Sequence, residues 1–254
     1  MPYLLKILLL AYSVFYQYEV PTFAGVSSLY SSNIWFAPSL TTINEYKVAI
    51  TASGILPYSF SELTHASLDF TYRIKSNLFL FSGIKTRKLS DIYSENTALL
   101  GTAIKIKHFS ASVNARGIYQ NIGESLFKTT LDISGTYFRS PFILTYSIMN
   151  VLTPNLNFKS EEKSKVSQRF LIALNYPQSV YFTFGYEKTQ SSESPFISTE
   201  VWFTRGFNIV FGIENNGVEG GISLRSKNFG IGIRIKSQTI MGPTYITYLS
   251  LHRE

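Results

Sequence analysis

His65, Ser67 and Asp69 stand two residues apart in one stretch of chain, and they are the residue types of a base, a nucleophile and an orienting acid. Two-residue spacing, however, is the spacing of one face of a β-strand, so the three side chains point in parallel and form no triangle around a reacting atom. Acyl transfer is not expected from them. The three histidines, His65, His108 and His252, lie far apart in no spacing used for zinc, and cysteine is absent, so neither a thiolate metal site nor a disulfide is available. The glycines of Gly217–Gly221 and Phe229–Gly232 lack the Gly-x-Gly-x-x-Gly spacing of a phosphate cradle. Their expected role is to relieve crowding or to let a sheet bend. No catalytic residue, metal or cofactor follows from the sequence.

What remains is a set of ionisable residues spread singly along alternating segments: Lys47, His65, Asp69, Arg73, Lys105, Arg116, Arg234 and Lys236. Two readings stay open for them. They line a solvated passage or ligand pocket, or they pair with one another and pack an interior. In either case the bases outnumber Glu45, Asp69 and Asp132 on the same rows, so a passage built from them is expected to prefer anions.

These residues sit on segments with a period of two. Ala66, Leu68, Phe70, Tyr72 and Ile74 alternate with His65, Ser67, Asp69, Thr71 and Arg73, and Phe229, Ile231, Ile233 and Ile235 alternate with Gly230, Gly232, Arg234 and Lys236. Tyr46, Val48, Ile50 and Ala52 form a similar row opposite Lys47, Ala49 and Thr51. About fourteen such segments can be read along the chain. Many approach the roughly 9 to 11 residues of a tilted transmembrane strand, whereas strands of soluble proteins are about 5 to 6 residues long.

Hydrocarbon offers the peptide group no hydrogen-bond partner, so a β-rich chain in lipid must close on itself and leave no edge. The expected fold is therefore all-β, a transmembrane antiparallel β-barrel with apolar rows outward and polar rows inward. Short links are expected at 75–77, 107–108, 139–141, 177–179, near Arg205 and at 226–228, alternating strictly with longer ones at 54–64, 87–96, 120–126, 150–165, 189–195, 215–217 and 237–244. The short links mark the periplasmic side.

The chain begins with a basic Met1–Lys6, an apolar Ile7–Phe15 and a small-residue exit ending at Ala24, the pattern of a cleaved signal peptide. Loss of this leader removes one base, Lys6, and one acid, Glu19, so the net charge of +7 is unchanged. The expected organisation is a leader over 1–24, a periplasmic or plug segment over 25–44 and a barrel over 45–254. Trp35, Phe36 and Pro38 are the plug candidates. Charged residues make up only 15% of the chain against a usual share of roughly 25%, as expected where lipid covers much of the surface. The bases form no run or helix face, which speaks against nucleic acid as a partner.

Several segments resemble the PorV/PorQ-type outer-membrane proteins, relatives of the FadL-like fatty-acid transporters: Trp35–Leu40, Ser61–Leu68, Met149–Pro154, and Gly221–Leu224 followed by Lys227–Ile231. The resemblance covers most of the chain after the leader. It implies a fourteen-stranded barrel in the outer membrane of a Gram-negative-type envelope, with one of two roles. One is a channel or transporter for hydrophobic or anionic small molecules. The other is a non-transporting barrel that binds a protein partner of a secretion or surface-attachment system.

Overall fold

The computed structural model describes residues 32–43, 46–56, 63–90, 93–121, 125–153, 166–175, 180–188, 193–203, 206–214, 217–238 and 242–253. The proposed leader and the mixed-charge stretch Glu161–Lys165 fall outside them. Two short 3-10 segments, Ser32–Trp35 and Pro38–Ile43, precede fourteen strands. These are β1 Val48–Leu56, β2 Leu63–Lys75, β3 Leu78–Leu89, β4 Tyr93–Ile106, β5 Phe109–Asn121, β6 Ser125–Arg139 and β7 Phe142–Met149. They continue with β8 Ser167–Asn175, β9 Val180–Lys188, β10 Glu193–Trp202, β11 Phe207–Glu214, β12 Gly217–Arg225, β13 Phe229–Gln238 and β14 Gly242–Arg253. Each pairs antiparallel with its neighbour in sequence, and β1 pairs with β14 from Val48↔Arg253 to Leu56↔Tyr245. The barrel is closed.

Period-two sequence becomes two faces. In β2, His65, Ser67, Asp69 and Thr71 are buried while Leu68 stands 52% exposed, and in β13 Arg234 and Lys236 are buried between exposed Ile231, Ile233 and Ile235. Large apolar side chains are exposed all round the wall, among them Ile84, Phe109, Phe127, Phe182, Phe211 and Ile222. Such a continuous apolar exterior, far beyond the patches of a few hundred Å² found on soluble monomers, requires an apolar surrounding.

The wall is uneven in height. Strands β2–β6 run 12 to 15 residues, whereas β7–β13 run 8 to 10. The expected strict alternation of short and long links does not survive this growth: of the links opposite the short turns, only 57–62 and 150–166 exceed four residues. The segments 87–96 and 120–126, expected as loops, are largely strand. The physical reason lies in the outer row Thr64↔Lys88↔Ser94↔Asn121↔Ser125, which is polar. Backbone pairing continues past the apolar belt, but lipid no longer selects apolar side chains there, so the period-two signal ends before the strand does.

At the short-turn rim Gly206 has φ +79°, and an added Cβ would collide with the backbone carbonyl of Arg225, whose own N–H donates to Gly206 O at 2.7 Å. Only glycine fits both the left-handed backbone and the close approach.

Candidate functional site

Two different fillings occupy the lumen. Along β3–β6 part of the inner face is small, with Gly83, Gly101, Ala103, Ser110, Ser112, Ser134 and Thr136 set beside the larger Phe79, Phe81, Lys85 and Leu99. Into that space fold Ile34, Trp35, Phe36 and Leu40, each at most 2% exposed. A Cβ on Gly83 would stand 2.8 Å from the Trp35 ring and 2.9 Å from Ile34, so the glycine makes the seat. Trp35 Nε1 donates to Asp69 Oδ1 at 2.7 Å, and Lys85 Nζ lies 4.9 Å from the ring centroid. Lower down, Ser39 N donates to Ser134 Oγ at 2.9 Å, its hydroxyl meets Thr136 Oγ1 at 2.7 Å, and Ser110 Oγ donates to its carbonyl at 2.6 Å. Lys105 sits over the Phe138 ring at 4.7 Å, with Thr42 O 3.5 Å from its ammonium. Pro38, the third plug candidate, is buried in the same segment. Arg169 stacks on Phe36 at 5.0 Å and on Phe196 at 5.4 Å, tying the segment to β8 and β10.

Across the lumen, the inner face fills itself. Arg234 pairs with Glu219 at 3.3 Å with both side chains at most 1% exposed, and Lys236 pairs with Glu214 at 2.5 Å. Asn208 Nδ2 donates to Glu200 Oε1 at 2.7 Å, and Asn208 Oδ1 accepts from Ser223 Oγ at 3.0 Å. Here too glycines lie under large side chains: Gly221 under Arg234, where a Cβ would come within 2.6 Å of its Cγ, and Gly232 under Tyr248. On β5 and β6 the wall also pairs with itself: Arg116 bonds Asp132 at 2.6 Å, and Asp132 also accepts from Asn114 at 2.6 Å and from Asn150 N at 3.0 Å. Towards the long-loop rim, Glu95 takes bonds from Tyr93 at 2.8 Å and Gln120 at 2.7 Å and pairs with Arg87 at 3.5 Å.

His65, Asp69, Arg116, Arg234 and Lys236 are thus all buried, Arg73 and Lys105 half-buried, and Lys47 exposed ahead of β1 and outside this group. His65 lies opposite Arg87, Ser67 bonds Ser53 at 2.8 Å, and Asp69 is taken up by Trp35, so the three residues of the opening motif serve separate neighbours. Tyr46, expected on the outer row with Val48, lies ahead of β1 and stacks on the inward His252 at 3.9 Å; Arg225 Nε donates to its hydroxyl at 2.7 Å.

Sequence reading missed most of the interior acids. Full burial is shared by seven bases, Lys85, Arg87, Arg116, Lys128, Arg169, Arg234 and Lys236, and six acids, Asp69, Glu95, Asp132, Glu187, Glu200 and Glu219, so the fully buried charges nearly cancel. With the half-buried Arg73, Lys105 and Arg225 against the half-buried Glu214, the inward rows keep an excess of bases. Glu200 and Glu219 sit on polar rows of β10 and β12 and could have been found by extending the alternation to those weaker strands.

The Pseudomonas putida toluene transporter TodX superposes on this chain with a TM-score of 0.59 at 9% identity, over 86% of this chain and 91% of that one. The Acinetobacter baumannii outer membrane protein Omp33 gives 0.54 at 8% identity, over 82% of this chain and 98% of that one. A bacterial polysaccharide outer membrane secretin gives 0.54 at 8%, over 83% and 100%. This is the fold of outer-membrane barrels. At these identities the likeness is one of fold, and it extends to the barrel class implied by the PorV/PorQ resemblance without reaching that narrower family. No protein-family model and no curated protein matches the sequence.

Proposed function

We propose that this chain spans the bacterial outer membrane as a channel or transporter for small molecules, with its short turns in the periplasm and its passage closed at rest by residues 32–43. The observation that carries the reading is the seating of Trp35 and Phe36 on a patch of small inner residues around Gly83: the barrel provides a space there and then occupies it with a separate piece of chain. A wall meant only to be packed can fill itself, as the opposite side does. Among substrates, hydrophobic and anionic small molecules both fit: the fully buried charges nearly cancel, and the half-buried Arg73, Lys105 and Arg225 leave the inward rows with an excess of bases. The structural neighbours with channel and transport functions fit the same reading.

A second reading, a non-transporting barrel that binds a secretion-system protein, is favoured by one observation: Arg234, Glu219, Glu200 and Asn208 are each about 1% exposed, as in a solid interior. Planar-bilayer conductance separates the two. Deletion of 32–43 is expected to give a stable open level several-fold above that of the full chain. Silence from both proteins, each folded by heat-modifiable gel mobility, would transfer the conclusion to the second reading.

A further inference from the structure

Among the described residues, exposed charge divides unequally between the rims, with Lys88, Lys188 and Glu193 at the long-loop rim and six bases at the other. At the short-turn rim Lys47, Lys75, Lys107, Arg139, Lys227 and Arg253 are all exposed, whereas the only exposed acid among the described residues, Glu193, stands at the opposite rim. These bases are spaced from β1 through the turns after β2, β4, β6 and β12 to the end of β14. A surrounding layer of negative charge meets such an arrangement better than a protein docked on one side does.

Above part of this rim the outer wall is hollow. Ala52, Gly54 and Thr247 are small outward residues of β1 and β14, and with Ile222, Ile233 and Leu249 they border a groove of about 540 Å³ on the apolar exterior. The groove and the rim are in register. Arg253 pairs with Val48, next to Lys47, whose N–H donates to Arg253 O at 2.8 Å, and the Asn228 carbonyl beside Lys227 accepts from His252 N at 2.8 Å. Leu249 is four residues up β14 from Arg253, about 13 Å along the strand and, for a tilt of about 40°, about 10 Å along the membrane normal. Half the hydrocarbon thickness of a bilayer is about 15 Å. A lipid whose phosphate meets the rim therefore has its acyl chain at the level of the groove.

On the membrane reading above, we propose that this face binds one anionic glycerophospholipid of the leaflet that meets the short turns. Its phosphate lies against Lys47, Lys227 and Arg253, and an acyl chain lies in the groove over β12–β13–β14–β1. The rim selects the charge and the groove selects the place. Near a bilayer surface each base strengthens attraction to anionic lipid roughly fivefold. Glu45 and Glu254, which adjoin these strands in sequence, lie outside the described residues.

The test is native mass spectrometry of the full chain, purified in detergent and incubated with equal amounts of dioleoyl phosphatidylglycerol and dioleoyl phosphatidylcholine. The chain is expected to retain one phosphatidylglycerol in preference to phosphatidylcholine by about tenfold. The triple variant Lys47→Gln, Lys227→Gln, Arg253→Gln should retain both equally. Ala52→Phe, which fills the groove, should lower retention of both; Gly54→Leu replaces it should that variant fail to show heat-modifiable mobility. Equal retention by the unaltered chain overturns the proposal and leaves the rim to an acidic protein partner. A preference that survives the triple variant, or retention untouched by groove filling, overturns it as well. A chain that is a folded monomer in buffer without detergent removes the membrane reading itself, a separate outcome from a detergent-requiring barrel with no lipid preference.

Discussion

Along β3–β6 the inner face holds a patch of glycine, alanine, serine and threonine among larger residues such as Phe81 and Lys85, and the room that patch leaves is taken by Trp35, Phe36 and Leu40 from a different part of the chain. Along β10–β14 the inner face carries Glu200, Glu219, Arg234, Lys236 and Tyr248, and neighbouring strands fill the room themselves. One closed sheet thus uses both solutions to the same problem. A filling supplied by a separate segment is held by a handful of hydrogen bonds and ring contacts and can leave as a unit. A filling supplied by the wall is covalently part of it and leaves only by breaking buried ion pairs. On the proposed channel reading, opening is expected on the β3–β6 side.

The contrast can be attacked from the self-filled wall first. Arg234→Met leaves the Glu219 carboxylate buried without its paired cation, and the loss of folding stability in lipid vesicles, read by urea titration, is expected to be about 3 to 5 kcal/mol. Adding Glu219→Gln should return most of that loss; a double variant as unstable as the single would show that Arg234 acts through packing and not through charge. On the other wall, Trp35→Phe keeps the ring in its seat over Gly83 but deprives Asp69 of its 2.7 Å bond. The expected cost is about 1 to 3 kcal/mol for the unsatisfied buried acceptor, accompanied by more frequent channel openings. Equal stability effects with no change in opening would erase the distinction between the walls. Smallest of all should be Lys188→Gln: its pair with Glu193 at 2.5 Å stands at the long-loop rim, more than half exposed, and no measurable change in stability or conductance is expected.

The sequence discloses the parts of this molecule that lipid selects. Wherever a strand crosses the apolar belt, as at Leu68–Phe70–Tyr72 or Ile231–Ile233–Ile235, alternation reveals strand, face and number, and fourteen segments are read as fourteen strands. Where selection by lipid stops, legibility stops with it. Thr86–Leu89 and Tyr93–Asn96 are strand, but both their faces are polar, and polarity with period two looks like a loop. Burial of Trp35 and Phe36 follows from their apolar character, yet the hydroxyls that hold Ser39, from Ser110, Ser134 and Thr136, are ordinary members of polar rows and carry no mark. Charge balance is hidden for a different reason. It depends on which acids of the weaker strands turn inward, and a shift of one residue in any of those strands would reverse the answer.

The glycines under large side chains have a consequence for how this sequence can change over generations. Gly83 with Trp35, Gly101 with Phe81, Gly185 with Phe196, Gly221 with Arg234 and Gly232 with Tyr248 are pairs in which the volume missing from one residue is spent by the other. A side chain gained at the glycine alone is a collision, and one lost at its neighbour alone is a hole. In relatives of this chain the two members of each pair should therefore vary together, small with large exchanged for medium with medium, so that what descent preserves at these five places is a sum of volumes and not the identity of either residue.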